Sequence, residues 1–410
     1  MSTRGRDIIE FPGNKRVAQP SASRRRAKQP GGAPPQKFAT MREIDHTMLA
    51  CCLILVGFGL VMVLSASYYS AMHSGNIYSY FSTQAFGAAL GLVGMFIAAT
   101  MNYKLVSKFA GIFYIFSCGL LVWVALFGRV VHGAQRWIDI GPAANPIITF
   151  QPSELAKVAV VLLLAVYINT DKSRINNLKG LIGYGVLTAI PVALVLWGRN
   201  LSTAIIIAAI AFVMLFLASP YFWRFIVVGA AGIGAVVGIL LLDLHLGIFG
   251  GVRGQRFATW QDPFLDPQVT GFQTIQSLFA VASGGLFGRG LGNSMQKLYY
   301  LPESQNDFIF AIIIEELGLF GGGIILLLFG IIVWRGMRAA LNARDTLSML
   351  IATGITTMIA VQVIINVGVV TNTIPNTGIP LPFISYGGTS IAVMMTAVGL
   401  LLNVTRYPKK

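Results

Sequence analysis

Residues Tyr299–Gly318 read YYLPESQNDFIFAIIIEELG, a polar run that breaks without transition into an apolar helix. Glu303 and Asp307 stand at the junction, and Glu315 and Glu316 lie inside the apolar segment. The apolar run continues to about residue 334, long enough to cross a bilayer at ~1.5 Å per residue. A carboxylate at the mouth of such a helix has given up part of its water, so it needs a cation, a proton or a substrate to offset the desolvation. Asp307 is therefore the candidate chemical centre.

The rest of the chain has the same character. Its 410 residues are 55% hydrophobic and only 11% charged, with a mean hydropathy of +0.72, too apolar for a water-soluble domain. Spanning segments are expected at about 46–69, 83–101, 109–127, 153–169, 180–197, 201–218, 222–243, 308–334, 347–370 and 385–404, each near the ~20 residues that cross a bilayer. The predicted fold class is an all-α integral membrane protein of about ten transmembrane helices. Residues 1–45 form a basic tail too polar to order itself, 46–404 the membrane domain, 244–307 a large extracytoplasmic loop between the seventh and eighth helices, and 405–410 a short C-terminal end. Residues 1–45 lack the apolar core of a signal peptide, so the first span is expected to stay as an anchor.

The formal charge of +15 falls largely in the tail and in short loops, as membrane orientation requires, and is not read as a nucleic-acid surface. With both termini in the cytoplasm, the short inner loops carry Lys104, Lys108, Lys172, Arg174, Lys179, Arg224, Arg335, Arg338 and Arg344, whereas the short outer ones hold Arg129, Arg136 and Arg199. The tail is expected to lie near anionic lipid or to dock a cytoplasmic partner. Cys51, Cys52 and Cys118 lie in apolar segments and read as packing residues.

Three outer segments exceed mere connections: Gly128–Pro152, containing GAQRWIDIGP and leading into QPSELAK; residues 244–307; and Thr371–Tyr386, TNTIPNTGIPLPFISY. Their aromatic content argues for folded structure over one external cavity. Ser153 reads as an N-cap, which puts Lys157 in the first turn of its helix, where the macrodipole disfavours a cation. Lys157 thus needs an anion: Asp307, a bound phosphate, or a route to the interface by snorkelling. Glu315 and Glu316 are too costly to face lipid as anions, and hydrogen bonding to neighbouring helices is the plainer reading. The Gly321–Gly323 triplet suits close packing or a bend. Arg253, Arg256, Asp262, Asp266, Arg289 and Lys297 alternate with aromatics in the long loop, which suits a ligand with phosphate and sugar faces or a loop folded on itself. GRGLGNS at Gly288–Ser294 lacks a P-loop lysine, and His46, His73, His132 and His245 form no metal motif.

NTGIPLPFISYGGTS at Asn376–Ser390, together with LPESQNDFIFAIIIEELG, GAQRWIDIGP and QPSELAK, closely resembles the signatures of the SEDS family of shape, elongation, division and sporulation proteins. The resemblance covers essentially the whole membrane region, and the ending LLLNVTRY with the basic tail looks more like the division branch. It implies an enzyme that polymerises lipid II into peptidoglycan glycan on the outer face of the cytoplasmic membrane, at the division septum. The implied partners are a class B penicillin-binding protein transpeptidase, other division proteins and membrane lipid. It also places Asp307 on the family's essential outer-loop aspartate and Lys157 and Arg136 on charged residues around the fourth span. Glu303 and Ser385, in the matching motifs, complete the expected substrate-binding set. SQN before Asp307 departs from the AHT of many relatives, and GRNLSTA at Gly198–Ala204 lacks the acid of their QPDLGTA-like run, which weakens a functional role near Asn200.

The implied chemistry agrees with the residues. A general base must take the proton of the acceptor's 4-hydroxyl as it attacks the donor's anomeric carbon, and Asp307 suits that role. Departure of the lipid pyrophosphate needs positive charge from Lys157, Arg136, loop arginines or a divalent cation, magnesium or manganese. One acid among cations suits direct displacement with inversion. Two rival readings are a lipid II flippase, with Lys157, Glu315 and Glu316 along a crossing path, and a division scaffold.

Overall fold

A computed structural model describes residues 44–407, apart from 74–75, 132–133, 141–147, 172–173, 220, most of 222–251, 269–270 and 299. Residues 1–43 of the basic tail, most of the expected 222–243 span, His132 and His245 lie outside the described residues. Nine described helices are long and apolar enough to cross a membrane. They are α1 (His46–His73), α2 (Ser79–Thr100), α4 (Ala110–Phe127), α5 (Pro152–Thr170), α6 (Leu178–Trp197), α7 (Leu201–Ala218), α10 (Ile309–Leu341), α11 (Thr346–Val370) and α12 (Gly388–Thr405). Shorter helices α3 (Tyr103–Lys108), α8 (Val252–Gln261) and α9 (Phe272–Gly284) lie between them. The large loop thus contains two helices of its own.

Helix α11 is the central column, with 78% of its apolar window buried against 22% for α6. Exposed Ile182, Val186 and Ile190 recur every four residues, so α6 presents an apolar stripe to lipid. Small residues bring α2 and α12 close: a Cβ on Gly87 would lie 2.1 Å from the Gly388 carbonyl oxygen, and one on Gly399 2.4 Å from that of Met95. Without a hydrophobic drive between helices in lipid, such backbone proximity is the main source of association. Asn403, fully buried, donates to the carbonyls of Ala98, Ala99 and Met101 and ties the end of α12 to the end of α2.

The bend in α10 falls at Gly318 and not at the Gly321–Gly323 triplet. Gly318 has φ 72° and ψ −178°, a backbone region that is essentially glycine's alone. The break frees backbone groups at membrane depth, where each unmatched one costs several kcal/mol. Residues 285–290 satisfy them. Arg289 N and Gly290 N donate to the carbonyls of Glu315 and Glu316, while Leu319 N and Phe320 N donate to those of Gly285 and Leu286. The helix is therefore two half-helices stitched through a neighbouring loop.

The segment after α4 departs from the all-α expectation. Strands β1 (Arg129–Val131), β2 (Ala134–Ile140) and β3 (Ile148–Phe150) form an antiparallel sheet in that order, with Arg129 opposite Trp137 and Ile138 opposite Phe150. The β-branched and aromatic residues of RVV, RWIDI and ITF favour strands; read as a linker between spans, their short runs carry too little signal to be seen.

Candidate active site

The three segments expected over one cavity do converge. A cavity of about 510 Å3 is lined by Arg136, Trp137 and Asp139 of β2, by Arg256 of α8 and Glu303, Gln305, Asn306 and Asp307 of the long loop, and by Asn376–Gly378 and Tyr386 of the segment after α11. Tyr80 of α2 and Ser390 of α12 complete its wall.

Asp307 is held from below by its backbone. Asn366 of α11, fully buried, donates to the Asp307 carbonyl at 2.8 Å and to the Ile379 carbonyl at 2.7 Å. Ser385 Oγ donates to the Asn306 carbonyl at 2.6 Å and accepts from Leu381 N at 2.7 Å, and Tyr386 N donates to the Gln305 carbonyl. On the carboxylate side, Gly378 has φ 65°, and a Cβ there would sit 3.0 Å from Asp307 Oδ2. Glycine is the residue that both conformation and space admit.

The electrostatics favour a poised carboxyl. Burial, then the charge of Glu303, push the Asp307 carboxyl up to about 6, against the opposing pull of Arg136 and Arg256. Arg136 is aimed by its donation to the Arg199 carbonyl at 2.6 Å, and Arg256 by donation to the Asn376 carbonyl at 3.2 Å. Glu303, itself at φ 56°, accepts from the Asn306 side chain. A group near neutrality can take a proton in one step and return it in the next.

Two expected binding residues stand elsewhere. Lys157 is 1% exposed, and its Nζ pairs with Glu154 at 2.8 Å instead of with Asp307. The N-cap is Gln151, with Pro152 at the first helical position, where its missing N–H costs nothing. Lys157 therefore begins the second turn, and the anion it needs is Glu154, one turn back on the same helix. Ser390 Oγ donates to Glu154 at 3.1 Å and carries that pair to the cavity wall. Ser385 spends both of its hydrogen bonds on main chain and supports the Asp307 loop from behind. Asn200 caps α7 by accepting from Thr203 N, a structural use that accounts for it.

Glu315 and Glu316 are fully buried and fully engaged. Glu315 accepts from Ser294 Oγ, Met295 N and Gln296 N, with Arg289 at 3.7 Å. Glu316 accepts from Lys297 Nζ at 2.8 Å and from Ser65 Oγ at 2.8 Å. Hydrogen bonding to neighbours, the plainer reading, is what the fold uses. Sequence reasoning missed Asn366, Gly378, Asp139 and the cavity aromatics Tyr80 and Trp137; the signal available for Gly378 was its place in the NTGIP run.

Residues 45–410 match the model of the cell cycle protein family of FtsW, RodA and SpoVE. The chain belongs to that family. Among its relatives, stage V sporulation protein E of Bacillus subtilis (strain 168) is 38% identical over 373 residues, covering 89% of this chain and 98% of that one. A "probable peptidoglycan glycosyltransferase FtsW" of Trichlorobacter lovleyi is 37% identical over 369 residues, covering 89% and 94%. The crystal structure of the Thermus thermophilus rod shape determining protein RodA superposes with a TM-score of 0.64 at 25% identity, over 91% of this chain and 98% of that one. The helical bundle described above is thus the fold of this family, and the chain is a multi-pass membrane protein.

Proposed function

We infer that this member of the FtsW, RodA and SpoVE family is a peptidoglycan glycosyltransferase that polymerises lipid II, with Asp307 as its general base. The observation that carries the reading is the convergence of three separate segments on one cavity, with a carboxyl poised near neutrality between two arginines and a second carboxylate. Relatives named for this activity support it. Asp307 accepts the proton of the acceptor's 4-hydroxyl while that oxygen attacks the anomeric carbon of the donor. The C1–O bond to the lipid pyrophosphate breaks, and the configuration inverts. Such a base contributes about 10²- to 10⁴-fold. Arg136, Arg256 and Arg129 oppose the negative charge that develops on the pyrophosphate, while Trp137 and Tyr80 offer faces for sugar rings.

Among the described residues no three metal-ligating side chains converge. Magnesium or manganese would be held chiefly by the substrate's pyrophosphate, with Glu303 as one of the carboxylates on the cavity wall beside it, and would supply charge at the leaving group. Lys157, through Glu154 and Ser390, and Ser385, through the Asn306 carbonyl, act as positioning residues. The three residues on which a flippase would depend, Lys157, Glu315 and Glu316, are each committed to protein partners.

The proposed orientation has the cavity outside and both termini in the cytoplasm, and it is supported by the basic residues Lys104, Lys108, Lys179, Arg338 and Arg344 in the short loops and helix ends read as inner. A class B penicillin-binding protein is the proposed transpeptidase partner, and the division septum the proposed place of work. The test is glycan synthesis from lipid II by purified protein with its partner and a divalent cation. Polymer is expected from the wild type and none from Asp307→Ala; polymer at the normal rate from the variant would remove Asp307 as the base.

A further inference from the structure

At the end of the bundle away from Asp307, the start of α1 and the last turns of α10 and α12 enclose a second cavity of about 680 Å3. Helix α10 begins beside Asp307 and reaches this end with Arg335 and Arg338, while α12 begins at the first cavity and ends here with Val404 and Thr405. The volume lies within the roughly 300–1,000 Å3 of small-ligand sites. Asp45 is the acidic group lining it among the described residues, and its charge is already used. Its Oδ1 accepts from Met48 N at 3.1 Å, and its Oδ2 accepts from Arg335 Nε and Nη2 at 2.7 Å each. Arg338, on the same face one turn later, therefore leaves the cavity with a surplus of positive charge. Its guanidinium carbon lies 5.7 Å from the Trp334 ring centroid, and Trp334 is 59% exposed, a placement typical of a tryptophan at the membrane interface. Ile44, Ala339 and Val404 supply an apolar wall.

We propose that this cavity binds the phosphate of an anionic lipid headgroup, Arg338 and Arg335 facing the phosphate and the apolar wall receiving the first carbons of the lipid. A guanidinium fork suits phosphate oxygens, the helix ends set the site at headgroup depth, and basic clefts between spanning helices recognise such lipids. Nothing in this depends on the reaction at Asp307.

The test uses the full chain in detergent, with thermal melting and native mass spectrometry read against added dioleoyl phosphatidylglycerol, dioleoyl phosphatidylcholine or inorganic phosphate. Arg338 is exposed, so Arg338→Gln leaves the fold intact. Phosphatidylglycerol is expected to bind the wild type roughly tenfold more tightly than it binds Arg338→Gln, the loss of one charge-assisted contact. Arg338→Lys should recover part of that difference. Arg344→Gln, which removes the same charge outside the cavity, should bind like the wild type. Equal weakening in Arg344→Gln, or equal binding of phosphatidylcholine, would reduce the effect to surface attraction and overturn the site. An Arg338-dependent shift with inorganic phosphate alone would overturn the headgroup as occupant.

Discussion

Two groups of carboxylates sit within one stretch of chain, Glu303 with Asp307 and Glu315 with Glu316, and the fold treats them in opposite ways. The lower pair is closed: Glu315 is matched by hydroxyl, amide and cationic donors from residues 289–296, and Glu316 by the Ser65 hydroxyl and the Lys297 ammonium. The upper pair is left open on a cavity, with like charges near each other and arginines at a distance that tunes more than it neutralises. A buried charge whose donors are all supplied holds structure together; one short of donors is available to a substrate.

The sharpest way to break this comparison is to neutralise one member of each pair. Asp307→Asn should lower the rate of glycan synthesis by about 10²- to 10⁴-fold while the protein melts at or above the wild-type temperature. Glu316→Gln should do the reverse. It leaves Lys297 buried against a neutral partner and should cost about 3–5 kcal/mol of stability, read by thermal melting in detergent, with activity falling only as folded protein is lost. Joint replacement by Glu316→Leu and Lys297→Met should retain more stability than either single change. If Glu316→Gln melts as the wild type does, the lower pair is not structural.

The stitched helix break tests the same contrast at the backbone. Gly318→Ala forces a Cβ to within 2.3 Å of the Leu286 carbonyl oxygen in a conformation that costs about 1–3 kcal/mol for strain alone. A lower melting temperature is expected, whereas Gly323→Ala, where an added Cβ would meet nothing within 4 Å, should be milder. Wild-type melting of the Gly318 variant would show that the break is not held by residues 285–290.

The smallest effect, and the most diagnostic, is in pH. With Asp307 poised at about 6, glycan synthesis should rise through that pH and level off above it, with the acid limb absent in Asp307→Asn. The linkage has a definite sign. The folded protein holds the Asp307 proton to a higher pH than the unfolded chain, whose carboxyl titrates near the ordinary 3.8. Stability from this group is therefore lost as pH rises between about 4 and 6. The Asn variant should gain stability relative to the wild type above pH 6 and match it below about pH 4.

Much of this was legible beforehand. The nine described spans start within a few residues of their expected places, and all but α10, which runs on past 334 to Leu341, also end there, because an apolar run of spanning length has few alternatives in a bilayer. Asp307 stood out because a charge at such a boundary is expensive. The β-sheet did not, since three short strands give little periodic signal beside long apolar helices. The partner of Lys157 was hidden for a similar reason: its need for an anion was visible and pointed to Asp307, a bound phosphate or the interface, but only side-chain packing shows that the anion is Glu154.

The linear chain by itself therefore determined where the described apolar segments of spanning length lie, where charge interrupts them and which acid borders the polar side, because transfer free energies act residue by residue. Which carboxylates are saturated and which are exposed to a ligand was decided by tertiary structure alone. That outcome depends on donors far away in the chain, such as Ser65 for Glu316 and Asn366 for the Asp307 loop, and no local pattern encodes their meeting.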